Sequence, residues 1–301
     1  MQPDRPSTTA EMVCAWRALE YLLPEDQRIL DDPYARAFLG PARGALLDAA
    51  EKLPPRALLA LYRRVDRVIH GVMTFVVARH RTIDELICAQ EGLEQVVLLG
   101  TGYDSRAKRL VERLPAGVTF FEVDHPATAR RRAERLDAAF GEGPRARTVS
   151  VNIDFQRESL EERLRGAGFD PARRTFWSWE GVSMYLDVEP VKDTLGLIAR
   201  NSPQGSLLCF DVWCPPRDGL AKLALRDLPN LAMRFVYSEP FVWGPRPEEL
   251  EPLLAAQGLA LIEMTPAREL VARYTQRRKA WFEGKDSMHL CLAEVDRDLA
   301  Q

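Results

Sequence analysis

Residues 96–106 read VVLLGTGYDSR, and no other stretch restricts the fold so tightly. The apolar run Val96-Val97-Leu98-Leu99 reads as a strand buried on both faces of a parallel sheet. It stops at Gly100-Thr101-Gly102, and a helix-compatible stretch, residues 105–110, follows. A strand, a glycine turn and a helix N-terminus bring backbone N–H groups and the positive end of a helix dipole to the carboxyl edge of a sheet. Nucleotide-like ligands bind at that edge. A second apolar strand, residues 119–123, ends in Asp124. An acid there is placed to hold a ribose diol by two hydrogen bonds. The same carboxylate is also in position to cap a helix starting at Pro126, and the two roles compete.

The identities within the turn narrow the ligand. A dinucleotide fingerprint wants a third glycine, which leaves room for a pyrophosphate. Here Ser105 stands at that place, with Asp104 before it. A carboxylate at a helix N-terminus repels a pyrophosphate and suits a ligand that carries an ammonium group and no phosphate. S-adenosylmethionine (SAM) fits that description better than NAD. The competing reading is a strand–turn–helix whose glycines only shape the turn.

Strands alternate with helices along most of the chain. Residues 8–90 read as helical, with helices at 8–21, 33–39, 46–52, 56–67 and 72–90. Strands follow at 95–99, 118–123, 146–151, 174–179 and 205–212, separated by helices at 105–114, 126–140, 156–166 and 188–201. A helix at 247–257 and strands at 259–264 and 287–295 complete the pattern. This alternation specifies an α/β protein with a doubly wound, mostly parallel sheet. The 1–90 portion is expected to pack over the sheet's carboxyl edge as a cap, with 91–301 forming the ligand-binding domain. Residues 215–246, rich in proline and aromatics, break the alternation and read as an acceptor-facing insertion.

Composition removes several classes. At 301 residues the chain can bury a full core, and a net charge of −3 suggests no polyanionic partner. Arg130-Arg131-Arg132 with Arg135 reads as a solvated helix face rather than a nucleic-acid patch. The polar N-terminus has no apolar signal region, and the apolar stretch near 72–78 is too short to span a membrane. A cytoplasmic protein with no membrane partner is expected. The five cysteines, Cys14, Cys88, Cys209, Cys214 and Cys291, are scattered and read as free thiols. Neither they nor His70, His80, His125 and His289 form a ligand pattern, so no metal is expected.

Seven stretches, in order, resemble the bacterial branch of the leucine carboxyl methyltransferase family. They are RPSTTAE (5–11), AWRALE (15–20), DDPYA (31–35), ARHRTID (78–84), the LLGTGYDSR turn, FEVDHP (121–126) and WEGVSMYL (179–186). The resemblance runs from Arg5 to about Val295. It implies a Rossmann-like class I methyltransferase fold, with a seven-stranded sheet whose last strand is antiparallel. It also implies a SAM-dependent O-methyltransferase. Some members of that branch esterify carboxylates of polyketide-type secondary metabolites, and eukaryotic relatives cap a protein C-terminal leucine.

Under that resemblance the candidate cofactor residues are Arg79, Gly100, Gly102, Asp124, Asp154, Phe155 and Glu180. Gly100 and Gly102 let backbone approach the methionine part of SAM. Asp154 ends the third strand, where it can accept the adenine amino group with Phe155 against the ring; the alternative is a cap for helix 156–166. Glu180 faces the SAM ammonium or ribose side, or is simply a helix-start acid. The family places an arginine at Arg79 for the SAM carboxylate, which a planar guanidinium grips at two points. Arg81, two residues on, faces elsewhere and reads as a surface ion pair. Arg17 and Tyr185 are the candidate catalytic residues. Arg17 holds the SAM carboxylate or the acceptor's, or else pairs with Glu20 or Glu11. Tyr185 and Trp213 line the acceptor pocket or belong to the core.

No general base stands out, although His70 and His125 are available. A carboxylate acceptor is ionised at pH 7 and needs none, whereas a phenol or alcohol usually does. The expectation is therefore a carboxyl methyltransferase acting on a small molecule. A phenol or alcohol methyltransferase, a SAM-binding protein without turnover and an NAD-type oxidoreductase are the alternatives. Ser183 lacks the G-x-S-x-G elbow of a hydrolase.

Overall fold

In a computed structural model, which describes residues 8–140, 146–155, 157–214, 241–275 and 287–300, the run after Glu94 is strand β1 (Gln95–Leu99). All five of its residues are buried. The other strands are β2 (Thr119–Asp124), β3 (Arg147–Asn152), β4 (Thr175–Trp179), β5 (Leu207–Trp213), β6 (Leu259–Pro266) and β7 (Met288–Val295). They form one seven-stranded sheet in the order β3-β2-β1-β4-β5-β7-β6. β7 runs antiparallel to both neighbours, and the β1–β5 pairings are parallel.

Register sets up the site. Leu99 pairs with Val123 on one side and Trp179 on the other, and Trp179 pairs with Phe210. The next residue on each strand is Gly100, Asp124, Glu180 and Asp211, so these four lie in a row along the carboxyl edge. Successive residues of a strand point to opposite faces. Val96 and Leu98 accordingly enter one core with Phe120 and Phe176, while Val97 and Leu99 enter the other with Phe121 and Trp177.

The first core is shared with the N-terminal helices α1 (Thr8–Tyr21), α2 (Pro41–Glu51), α3 (Pro55–Val68) and α4 (Val72–Cys88). Trp16, Ala50, Tyr62 and Phe75 from these helices pack there. Between α3 and α4 the chain turns through His70 and Gly71, both with positive φ. Helices α5 (Arg106–Arg109) and α6 (Pro126–Phe140) follow β1 and β2. The second core is closed by α7 (Leu160–Gly166), α8 (Val188–Arg200) and α9 (Pro247–Ala255).

The expected strands all form, and several helices differ. The one anticipated at 105–114 is only α5 plus a 3-10 turn at Val111–Arg113. Leu114 precedes Pro115, and a residue before proline avoids the helical region. The 33–39 helix is a 3-10 turn, Ala35–Phe38. α7 starts at Leu160 because Ser159 caps it. A further helix, α10 (Ala267–Tyr274), packs on α4 where a variable stretch was expected. Residues 215–240 of the anticipated insertion lie outside the described residues. Among the described residues no helix is long and apolar enough to cross a membrane.

Candidate functional site

At the carboxyl edge the chain leaves β1 through two left-handed glycines, Gly100 (φ 72°) and Gly102 (φ 54°). A Cβ on Gly100 would meet Val182 Cγ2 at 2.7 Å, and one on Gly102 would approach Ala10 Cβ at 3.2 Å. The turn is thus pressed between the post-β4 loop and α1. Asp124 clamps it: one carboxylate oxygen accepts the Gly102 N–H and the other accepts the His125 N–H at 2.6 Å. Burial raises the Asp124 pKa against these two hydrogen bonds. Asp124 is not the cap of α6. His125 takes that role, with its carbonyl accepting from Thr128 and Ala129 and its ring Nδ1 accepting from Ala127 at 3.3 Å. His125 therefore serves the helix start rather than standing free as a base.

Beside the turn lies a continuous chain of buried ion pairs. Arg17 binds Asp32 at 3.0 Å, Asp32 reaches Arg109 at 3.5 Å, and Arg109 binds Asp84 at 2.7 Å. Asp84 meets Arg106 at 2.8 Å, and Arg106 holds both Asp104 at 2.6 Å and Glu180. Glu180 binds Arg79 at 3.0 Å, and Arg79 ends on Asp211. The chain runs from α1 to β5 and joins the cap helices to the sheet edge. Burial pushes the Glu180 carboxyl up, but Arg106 and Arg79 outweigh it and hold the pKa at about 2. Asp104 is likewise held at about 2, by Arg106 and Arg109 against burial. Asp211 goes the other way, its burial outweighing Arg79.

This network corrects several sequence expectations. Asp104, read as facing a ligand ammonium, is taken up by Arg106, whose backbone N–H and guanidinium it accepts. Ser105 donates to Asp32 at 2.8 Å. Arg17 pairs with Asp32 and the Tyr103 carbonyl, not with Glu20 or Glu11. Those two acids accept instead from the Ile29 and Gly40 backbones. Glu180 starts no helix; it follows β4 and also accepts from Ser178 Oγ at 2.7 Å. The fork of Arg79 spans Glu180 and Asp211. Arg132, assigned to a solvated face, is buried against Glu122, whereas Arg130 and Arg131 are exposed. Arg135 is half-buried and donates to the Phe38 carbonyl. Arg81 pairs with Glu85 at the surface, as its spacing implied.

The outer positions are more open. Asp154 follows β3 and lies 3.6 Å from Arg157 in a surface pair; α7 is capped by Ser159, so Asp154 is not its cap. Phe155 is 57% exposed, which leaves a ring face available at the edge. Tyr185 and Trp213 are half-buried, and both pack against Phe241 with centroids 5.4 Å apart. They form an aromatic wall beyond β4 and β5. Ser183 is buried and donates to the Asp211 carbonyl at 2.6 Å. All five cysteines are free thiols.

Asp211, Arg106, Asp84 and His80 were not singled out from the sequence. A signal existed for Asp211, a lone acid inside the apolar strand LLCFDVW. His80, Asp104 and Glu180 bring ligand atoms within 4.8 Å of one another, as a metal site would. The Arg106 guanidinium already binds all three, so a cation occupies that place.

A seven-stranded sheet of this order, with one antiparallel strand inserted near its edge, is the Rossmann-like class I methyltransferase fold. Two solved structures share it over nearly their whole length. One is a methyltransferase candidate from Thermobifida fusca, with TM-score 0.57, 14% identity and 98% and 97% of the two chains covered. The other is a DUF574 family protein from Streptomyces avermitilis, with TM-score 0.56, 15% identity and 97% and 98% covered. The chain belongs to the leucine carboxyl methyltransferase family, whose model matches residues 10–199. It is similar to a protein of a Parafrankia species named as a candidate SAM-dependent methyltransferase, at 34% identity over 73% of this chain. A like-named protein of Mycolicibacterium smegmatis is 36% identical over 68%. The matches span 66% of the length of each of these two relatives. A Frankia alni relative, also so named, is 34% identical with 73% and 75% covered.

Proposed function

We propose that this chain is a SAM-dependent O-methyltransferase that esterifies a carboxylate of a small metabolite. The observation that carries the reading is the row Asp124, Gly100, Glu180, Asp211 along the switch-point edge of the sheet, in a chain of this family. The residues fit the cofactor. A Cβ at Gly100 would meet Val182 Cγ2 at 2.7 Å, so only glycine lets the turn pass this close under the post-β4 loop and hold its place at the edge. Asp124 uses one acceptor position on each oxygen for backbone N–H groups, and a carboxylate has about four, enough for a ribose diol as well. The ion-pair chain holds Asp32, Asp84, Asp104, Glu180 and Asp211 against four arginines, an excess of one acid. That excess suits a ligand of net charge +1.

SAM supplies an electrophilic methyl group on a sulfonium. Transfer to an oxygen is an in-line displacement that gains mainly from alignment and exclusion of water. Glycine backbone, Asp124 and Glu180 hold the donor. Phe155 offers a face for the adenine, with Asp154 beside it. The aromatic wall of Tyr185, Trp213 and Phe241 shapes a dry acceptor side. Arg17 and Arg79 keep their guanidinium groups at the amino-acid end.

The test uses SAM labelled in its methyl group with a panel of small carboxylic acids. A methyl ester releases labelled methanol in mild base, and the rate stays nearly flat from about pH 6 to pH 8, because a carboxylate is ionised throughout. A base-stable product, or a rate that climbs near the imidazole pKa, would redirect the reading to a phenol or alcohol. Binding of NAD without SAM would end it.

A further inference from the structure

Helix α3 turns one face inward and carries arginine on the other. Leu58 and Tyr62 are buried in the core that the cap shares with the sheet. Arg56, Ala60, Arg63 and Arg67 are spaced by four, three and four residues, so they follow one line along the opposite side. Arg64 stands beside that line. Arg56, Arg64 and Arg67 are exposed, and Arg63 is half-buried. A cavity of about 630 Å³ lies over this face, and its lining among the described residues is Arg56, Leu59, Ala60, Arg63, Arg64 and Arg67. Small-molecule sites have volumes of about 300–1,000 Å³.

No acid of α3 faces the cavity. The one acid of the helix, Asp66, is 1% exposed and accepts from the Thr74 N–H and hydroxyl. Off α3, every described arginine of the cap has an acid beside it, as Arg36 has Asp48 and Glu51, and Arg43 has Glu11. Arg56 and Arg64 have none among the described residues. Like charges this close on a helix repel one another, and a concave wall of one sign focuses its field. The net charge of −3 does not cancel that field, because screening confines each exposed charge to about 8 Å.

The residue type and spacing define the ligand. α3 has four arginines and no lysine. A guanidinium presents five N–H donors in a planar fork that matches phosphate oxygens at two points, and it can hold an oxyanion while keeping another partner. Arg63, Arg64 and Arg67 fall within about 6 Å along the helix axis, and Arg56 stands about 10 Å before Arg63. Between them Leu59 and Ala60 offer an uncharged surface. A matching ligand gathers its negative charge at one end of an uncharged body, and the concavity favours a compact molecule over a flat membrane surface. We propose that the arginine face of α3 binds an organic phosphate, with the phosphate on Arg63, Arg64 and Arg67 and the body over Ala60 and Leu59. None of these residues belongs to the carboxyl edge of the sheet, so the proposal does not rest on the SAM reading.

The experiment is titration calorimetry of the full chain at fixed ionic strength. The probes are phenyl phosphate, inorganic phosphate, and benzoate as a singly charged ligand with the same ring. Phenyl phosphate should bind with one-to-one stoichiometry, and at least tenfold more tightly than either of the others. Arg64→Gln should weaken it about tenfold, the loss of one charge-assisted hydrogen bond. Arg64→Lys, which keeps the charge and loses the fork, should recover only part. Ala60→Glu places a carboxylate in the middle of the face and should abolish binding, with the circular dichroism spectrum unchanged. No binding of phenyl phosphate at millimolar concentration, or equal affinity in the wild type and Arg64→Gln, would overturn the proposal. So would inorganic phosphate binding as tightly as phenyl phosphate, because the uncharged surface would then contribute nothing. Should Ala60→Glu fail to fold, the exposed Arg64 variants decide alone. Sedimentation with phosphatidylserine vesicles separates the remaining source of negative charge: vesicle binding that Arg64→Gln weakens and phenyl phosphate does not displace would make the face a membrane contact and reject the small-molecule site.

Discussion

At the scale of single residues, the glycine turn is where backbone geometry is most exacting. Gly100 combines a positive φ with a 2.7 Å approach to Val182, whereas Gly117, at φ 94°, has nothing within 4 Å of its absent Cβ. Gly117→Ala should therefore lose only the left-handed strain, about 1–2 kcal/mol. Gly100→Ala should lose that and about 1–3 kcal/mol more from overpacking. Urea unfolding of the two variants checks the difference, and equal losses would mean that Val182 moves aside freely. Asp124 makes a second residue-level test. Asp124→Ala removes an acceptor of two backbone N–H groups and of the proposed ribose diol. Cofactor affinity should fall by about 1–3 kcal/mol. A fall in melting temperature with unchanged affinity would reduce Asp124 to a turn clamp.

At the scale of elements, the buried ion pairs tie α1, α4, α5 and the ends of β4 and β5 together. Removing one member strands the others: Arg106→Met leaves Asp84, Asp104 and Glu180 buried with less compensation, a loss of about 3–5 kcal/mol. Acid should undo the same network. Glu180 and Asp104 fall from ordinary values of 4.5 and 3.8 to about 2 in the folded chain. Between those values the unfolded chain binds more protons, so stability rises with pH. Their contribution is present above about pH 4.5 and is lost as pH falls toward 2. Asp211 and Asp124 carry raised values and act oppositely, their effect diminishing as pH rises through the folded value. The urea midpoint of the wild type should drop between pH 6 and pH 3, and Glu180→Gln should flatten that dependence. A parallel slope in the variant would remove Glu180 from the acid response.

At the scale of the whole molecule, cap and sheet share one core, with Trp16, Tyr62 and Phe75 packed in the same cluster as Val96, Leu98 and Phe120. Among the described residues the N-terminal helices form no separate cluster of that size; the small one around Cys14, Phe38 and Tyr103 itself includes a residue of the glycine turn. Unfolding followed by tryptophan fluorescence and by far-ultraviolet circular dichroism should give coincident curves. An early fluorescence transition with the sheet intact would show the cap opening by itself.

The sequence by itself determined the sheet. Runs such as VVLL and TFFEV are short, rich in β-branched or aromatic residues and bounded by turn residues, which reads as buried strands, and alternation with helices left one architecture. It also placed Gly100, Asp124 and Glu180 at one edge, because each is the residue at which an apolar strand stops. Only the tertiary structure decided how the charges pair. Asp104 and Arg79 read as ligand groups in one dimension, and both turn to partners 2 to 132 residues away. Asp84 meets Arg106, just after the turn, and Asp211 meets Arg79 of α4, each from an element remote in the chain. A buried charge takes the nearest opposite charge in space, and distance along the chain says nothing about which one that is.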